Sequence, residues 1–228
     1  MLWFALLSTA GMMAVGIYFR TDAFEGKRSY MHTYHAVAQT ALTLPALWAN
    51  PTDIGALSPA LVAGGLYMYV AYILLDTALY TEALRKDIVF HHALTAVATV
   101  HSLMGPPQVA EIAFRCLSAE ASTIFLCMRP WVKEYPLLRA MNDACFAITF
   151  GVFRVVLLLP LAAATFVMCG PMSLATGFMV VNVAMNLRWF GMIVRKVQRK
   201  LNPADPKPKS PLRDCNHFDS TKTNVKGD

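Results

Sequence analysis

What most constrains this chain is where it puts its positive charge. Long apolar stretches alternate with short polar ones, and Lys and Arg fill every second polar stretch. Arg20, Lys27 and Arg28 follow the first apolar block, Arg85 and Lys86 the third, and Arg129, Lys133 and Arg139 the fifth. Arg195, Lys196, Arg199 and Lys200 follow the last. The stretches between, "NPTDIGALS", "GPPQ" and "CGPM", hold no Lys or Arg. Such alternation is the positive-inside pattern of a multi-pass membrane protein. It puts the N-terminus on the lumenal side and the C-terminus in the cytosol.

The apolar blocks run to about 17–27 residues, enough to cross a hydrocarbon core. Seven spans are expected: Leu2–Phe19, His32–Ala49, Leu57–Tyr80, Ile88–Met104, Val109–Met128, Asn142–Cys169 and Met172–Val197. Backbone in lipid must satisfy its own hydrogen bonds, so the spans should be helices and the fold an all-α integral membrane protein. Pro45 and Pro160 are candidate kinks. Composition agrees, with 56% hydrophobic and only 15% charged residues among 228, against about 25% charged in a soluble domain. The net charge of +6 is then a topology signal, and no nucleic-acid partner follows from it. Leu2–Phe19 lacks a preceding basic residue and is followed by Arg20, which favours a span over a signal peptide. The five cysteines form no disulfide framework by spacing. The polar, Pro-rich end is expected to be a disordered cytosolic tail. Residues 1–29 thus read as a first span and loop, 30–200 as the main membrane domain and 201–228 as the tail.

This topology converts position into depth. His32, His35, His91, His92, Asn142 and Asp143 start spans on the cytosolic side, and Asp76 and Glu82 end one there. Glu120, Asn186 and Arg188 lie in the cytosolic half, with Arg154 near mid-membrane. Ionisable groups inside a membrane usually face a bundle interior or a wet cavity, so a cavity open to the cytosol is expected. In the fourth span His92, Thr95, Thr99 and Ser102 form a polar stripe at helical spacing, with His91 beside it. In the fifth, Glu111 and Arg115 are spaced as an i,i+4 ion pair, which reads as a self-neutralising structural element. Glu120 falls on another face with Cys116 and Thr123. Asn182, Asn186 and Trp189 line up in the seventh, where asparagines can also bond helix to helix. His32 and His35 could equally anchor at the interface.

The order of these groups resembles the TLC domain, the lipid-handling membrane fold that includes the ceramide synthases. The likeness rests on Asp76 in "YILLD", His91 and His92 in "KDIVFHHALT", and Glu120 and Ser122 in "AEAST". It continues with Asn142, Phe150 and Arg154 in "NDACFAITFGVFRVVLLLP", and Asn186 and Trp189 in "NVAMNLRWFGMIVRKV". The resemblance implies a catalytic role for His91 and His92. It implies that role for these two alone; Asp76, Glu120, Asn142, Arg154, Asn186 and Trp189 are read as substrate-binding positions of the cytosol-facing cavity. It implies fatty acyl-CoA as co-substrate with no tightly bound cofactor or metal, membrane lipids as partners, and the endoplasmic reticulum as location. Ceramide synthases join the acyl group to an amine. An imidazole titrates near neutrality and can take the amine proton, or attack the thioester and form an acyl-imidazole. Those enzymes carry a His-Asp and a further Asp after the His pair, whereas "PPQVAEIAFRCLSAEASTIFLCM" has neither residue type. In this the chain resembles smaller, divergent TLC-domain proteins, several of them associated with membrane phospholipid composition and fluidity.

Two function classes follow: an acyl-CoA-dependent N-acyltransferase, and a non-catalytic lipid-binding regulator of membrane composition. A seven-span receptor shares the topology, but the chain has no "DRY" or "NPxxY" signature. A retinal protein needs a lysine deep within the bundle, and the one lysine inside a span, Lys196, lies at the cytosolic end of the last. The four imidazoles of "HTYH" and "HH" are sparse for a di-iron site.

Overall fold

The computed structural model describes residues 24–49, 53–80 and 86–201, together with Gly11. The expected span Leu2–Phe19, Glu82 and the tail 202–228 lie outside the described residues. Everything described folds as helix and connecting turns, with no strand among these residues. The helices are α1 (Phe24–Ala49), α2 (Pro59–Tyr80), α3 (Lys86–Met104), α4 (Pro107–Cys116), α5 (Glu120–Met128), α6 (Pro136–Gly151), α7 (Leu158–Cys169) and α8 (Leu174–Leu201). Among the described residues three segments are long and apolar enough to cross a membrane: Pro59–Ala78, Pro136–Cys169 and Leu174–Arg199. Ile88–Met104 is a shorter apolar helix.

Several helix boundaries differ from the hydropathy reading. α1 already includes Phe24, ahead of the expected His32, because the stretch before His32 is polar and carries little apolar signal. α6 begins at Pro136 rather than Asn142, with a proline in its first turn, where the missing N–H has no helical partner in any case. The expected fifth span is two helices, α4 and α5, joined by a 3₁₀ turn at Leu117–Ala119. Three residues at 120° instead of 100° each rotate α5 by about 60° relative to a continuous helix. α6 and α7 are likewise joined through a π turn at Val152–Val156, where Leu157 N–H reaches the Val152 carbonyl at 2.9 Å. Pro160 explains its place, since it cannot donate to the Val156 carbonyl and its ring crowds that group. Pro45 lies within α1, which continues past it.

The side chains are distributed as in a body dissolved in lipid. Leu74, Val97, Ile148, Val156 and Val180 are more than half exposed, while His35, Gln39, Asp76 and Arg115 are wholly buried. Water would favour the reverse, but hydrocarbon has no preference against surface leucine and strongly disfavours an unpaired charge. α1 packs on α5, α5 on α6, α7 on α8, and α2 on α3 and α4. Met31, Leu66, Met68, Ile73 and Phe114 are the heart of the apolar core between α1, α2 and α4. Gly65 admits the Phe114 ring: a Cβ there would come within 2.3 Å of its edge.

Candidate functional site

His91 and His92 are adjacent on α3, so their side chains leave the helix about 100° apart. Their ring centroids are 6.1 Å apart, and each serves a different polar cluster.

His92 belongs to the cluster around Asp76, a wholly buried carboxylate on α2. His32 Nε2 on α1 donates to Asp76 Oδ1 at 2.7 Å. That leaves Nδ1 of a neutral His32 to accept from the Tyr72 hydroxyl at 3.2 Å. His92 Nδ1 lies 3.7 Å from Asp76 Oδ2 and 3.3 Å from Thr77 Oγ1. His35 stacks on Tyr72 with centroids 3.7 Å apart and planes 5° from parallel. Asp76 therefore ties α1, α2 and α3 together through imidazoles. His32 and His35, readable as interface anchors, are interior residues in this arrangement. Tyr69, Tyr72 and Asp76 recur at helical spacing on α2, and His35, Gln39 and Thr43 on α1, a periodicity that marks these faces in the sequence.

His91 belongs to a cavity of about 110 Å³ bounded by α2, α3, α4, α7, α8 and the two irregular turns. The polar stripe of α3 enters it in the phase of His91, Thr95, Thr99 and Ser102 rather than that of His92. The Trp189 ring stands edge-on to His91 with centroids 5.3 Å apart. Glu120, Arg154, Asn182 and Asn186 line the same cavity. Phe150 stacks on Phe190, which sets Arg154, one turn on, level with Asn186 and near His91. The opposite end is formed by Ser102, Val109, Thr165, Ala175 and Phe178. From His91 to Ser102 α3 rises about 16 Å.

The wall between these ends is less polar than its composition. Thr95 donates to the His91 carbonyl at 2.6 Å, Thr99 to that of Thr95 at 2.7 Å and Ser102 to that of Ala98 at 2.8 Å. Across the cavity Thr165 donates to the Leu161 carbonyl at 2.8 Å. Each hydroxyl hydrogen is committed to its own backbone. The first of these bonds also bears on His91. With its hydrogen used, Thr95 Oγ1 can only accept from His91 Nδ1 at 3.4 Å. This favours the tautomer with the proton on Nδ1 and the lone pair on Nε2.

Arg154 sits inside the π turn, a feature common at functional sites. Its Nε donates to Ser122 Oγ at 2.8 Å and the Ala119 carbonyl at 3.2 Å, and Nη2 donates to Thr123 Oγ1 at 3.0 Å. Glu120 Oε1 is 3.7 Å from Nη2, and the Phe150 ring lies 5.4 Å from the guanidinium carbon. Nη1 has no hydrogen-bond partner among the described residues. The 3₁₀ turn rotates α5 as a whole relative to α4, and Arg154 reaches both the Ala119 carbonyl at the end of that turn and side chains in the first turn of α5.

Of the residues singled out from sequence, His91, Glu120, Arg154 and Asn186 meet at the cavity, with Trp189 behind His91. His92 and Asp76 form the neighbouring cluster. Asn142 donates to the Phe125 carbonyl at 2.8 Å and joins α6 to α5 away from the cavity. Glu111 and Arg115 form the expected pair, with Arg115 Nε donating to Glu111 Oε1 at 2.9 Å. No three His, Cys, Asp or Glu side chains among the described residues are grouped to hold a metal ion.

Comparison with known families gives a match to a family model described as the TLC domain, over residues 2–195. No curated protein and no solved structure matches the chain.

Proposed function

Because the chain belongs to the TLC-domain family, we propose that its membrane function is lipid-related and is carried out at the His91 cavity, as transfer of a fatty acyl group from acyl-CoA to an amine. The observation that carries this reading is the placement of His91, with its available Nε2, beside Arg154 at one end of a cavity with an apolar wall. In the reaction His91 Nε2 attacks the thioester carbonyl. The carbon–sulfur bond breaks and CoA leaves as the thiolate. The amine then attacks the acyl-imidazole, forming the amide carbon–nitrogen bond and releasing the imidazole. The proton lost from the amine passes to the leaving thiolate or to solvent. Arg154 Nη1 stands where it can stabilise the oxyanion that develops at each attack. His92, held by Asp76 and Thr77, positions α3 and with it His91.

The same reading carries the larger frame. Acyl-CoA chemistry at this depth needs a cavity open to the cytosol, and the proposal joins to it seven spans, a lumenal N-terminus and residence in the endoplasmic reticulum. Residues 30–200 form the catalytic domain in this scheme, and Asp76, Asn142 and Trp189 support the acyl site from outside it.

A second reading is a lipid-binding protein that regulates membrane composition without catalysis. It is favoured by the segment Pro106–Met128, which contains no Asp and no His to act beside His91. Lipidomics separates the two in a host of low acyltransferase background, at matched expression of the native chain, His91→Ala and His92→Ala. Transfer predicts an acylated lipid class that rises with the native chain, stays at background with His91→Ala and falls only partly with His92→Ala. Identical profiles for all three would sink catalysis and leave the regulator.

A further inference from the structure

Asn186 is almost wholly buried in the cavity wall, at 3% exposure. Its Nδ2 donates to both the Asn182 carbonyl and Asn182 Oδ1, each at 2.9 Å. With both amide hydrogens engaged, the group cannot flip its oxygen and nitrogen without losing two bonds. Its Oδ1 is thereby fixed as an acceptor, and it has no hydrogen-bond partner. A buried acceptor without a donor is costly, and native proteins rarely keep one without a purpose. The cavity wall nearby offers it none, since the hydroxyls of Thr95 and Thr99 are turned to their own helix.

We infer that Asn186 is a specificity residue that selects ligands with an N–H or O–H donor in the head group, the Asn182 contact serving to hold its acceptor in place. The inference rests on the reading of the cavity as the lipid site and adds what that site demands of its ligand. Arg154 Nη1 supplies a donor for the ligand's carbonyl, and Asn186 Oδ1 the complementary acceptor. The ligand class is an amphiphile bearing both functions, such as a secondary amide or an amine acceptor meeting an acyl carbonyl. A head group without a hydrogen to give leaves the Asn186 acceptor buried and unpaired, which is the strong form of discrimination.

The test uses a matched pair, N-dodecylacetamide and N-dodecyl-N-methylacetamide, which share tail and carbonyl and differ in the N–H. Binding to the full chain in phosphatidylcholine nanodiscs is read by native mass spectrometry. The native chain is expected to prefer the secondary amide at least tenfold, and Asn186→Leu to bring the two within about twofold. Asn182→Ala, which unpins the amide, should narrow the preference. Equal binding of both amides by the native chain overturns the role of Asn186 while the lipid cavity stands. Binding of neither overturns the lipid cavity and this inference with it. The native comparison decides the matter even if Asn186→Leu does not fold.

Discussion

Among the described residues two Arg–Glu pairs lie in the interior, both involving the broken helix that runs from Pro107 to Met128, and they are built in opposite ways. Glu111 and Arg115 are one turn apart and enclosed. Besides its bonds to Glu111, Arg115 donates through Nη2 to the Asp53 carbonyl at 2.6 Å. Glu111 Oε2 accepts from the backbone N–H of Gly55 at 2.8 Å and of Leu57 at 3.3 Å. Gly55 has a φ of 110°, which a side chain rarely tolerates, so the turn before α2 is shaped to meet this carboxylate. Glu120 and Arg154 stand 3.7 Å apart on different helices, and the arginine bonds to neutral oxygens instead. The first pair is complete without a ligand. The second keeps a guanidinium edge toward the cavity. The difference is what the proposed reading rests on: one pair whose charges are met by the chain itself, and one whose arginine keeps bonding capacity to spare.

The sharpest way to break this comparison is Arg115→Leu. It leaves Glu111 buried without its cation, and breaking a buried pair this way costs about 3–5 kcal/mol. Thermal unfolding in detergent should show a large fall in midpoint, and Glu111→Leu with Arg115→Leu should recover part of it by removing the stranded charge. Arg154→Leu should do the reverse. Acyl transfer should drop about 10²–10³-fold, the usual cost of losing an oxyanion donor, while the unfolding midpoint moves far less than for Arg115→Leu. Similar unfolding losses for both would erase the distinction. Gly65→Ala pushes the Phe114 ring, next to Arg115, out of its seat. Overpacking of this kind costs about 1–3 kcal/mol, and activity per folded molecule should be unchanged. The smallest effect is expected for Glu120→Gln, whose partner has other acceptors. It should cost less than about 1 kcal/mol in the unfolding assay, with a measurable change confined to acyl transfer.

Much of this was legible before the structure. The apolar blocks foretell an all-helical membrane fold because lipid leaves the backbone no alternative. The i,i+4 spacing of Glu111 and Arg115 foretells their pairing. His91, Glu120, Arg154 and Asn186 stand out because an ionisable or amide group in a membrane helix needs a reason. The choice between His91 and His92 was not legible, since adjacent residues are separated only by helix rotation, and neighbouring helices set that rotation. The 3₁₀ turn at Leu117–Ala119 carries no Gly or Pro to announce it, so the rotation of α5 relative to α4, and with it the direction in which α5 presents its first turn to Arg154, stayed hidden. The start of α6 was readable from Pro136, and hydropathy missed it by following apolar residues alone.

The inward-turned hydroxyls of Thr95, Thr99, Ser102 and Thr165 have a mechanical consequence. A tail lying along them meets lone pairs and methyl groups, and no donor to mark one depth from another. On the proposed reading such a surface works as a bearing: an acyl chain would slide in and out with little to catch on. Position along the cavity would then be set at the head, where the proposal puts Arg154 and Asn186, so that entry is cheap, registration is local, and tails of different saturation can pass over the same wall.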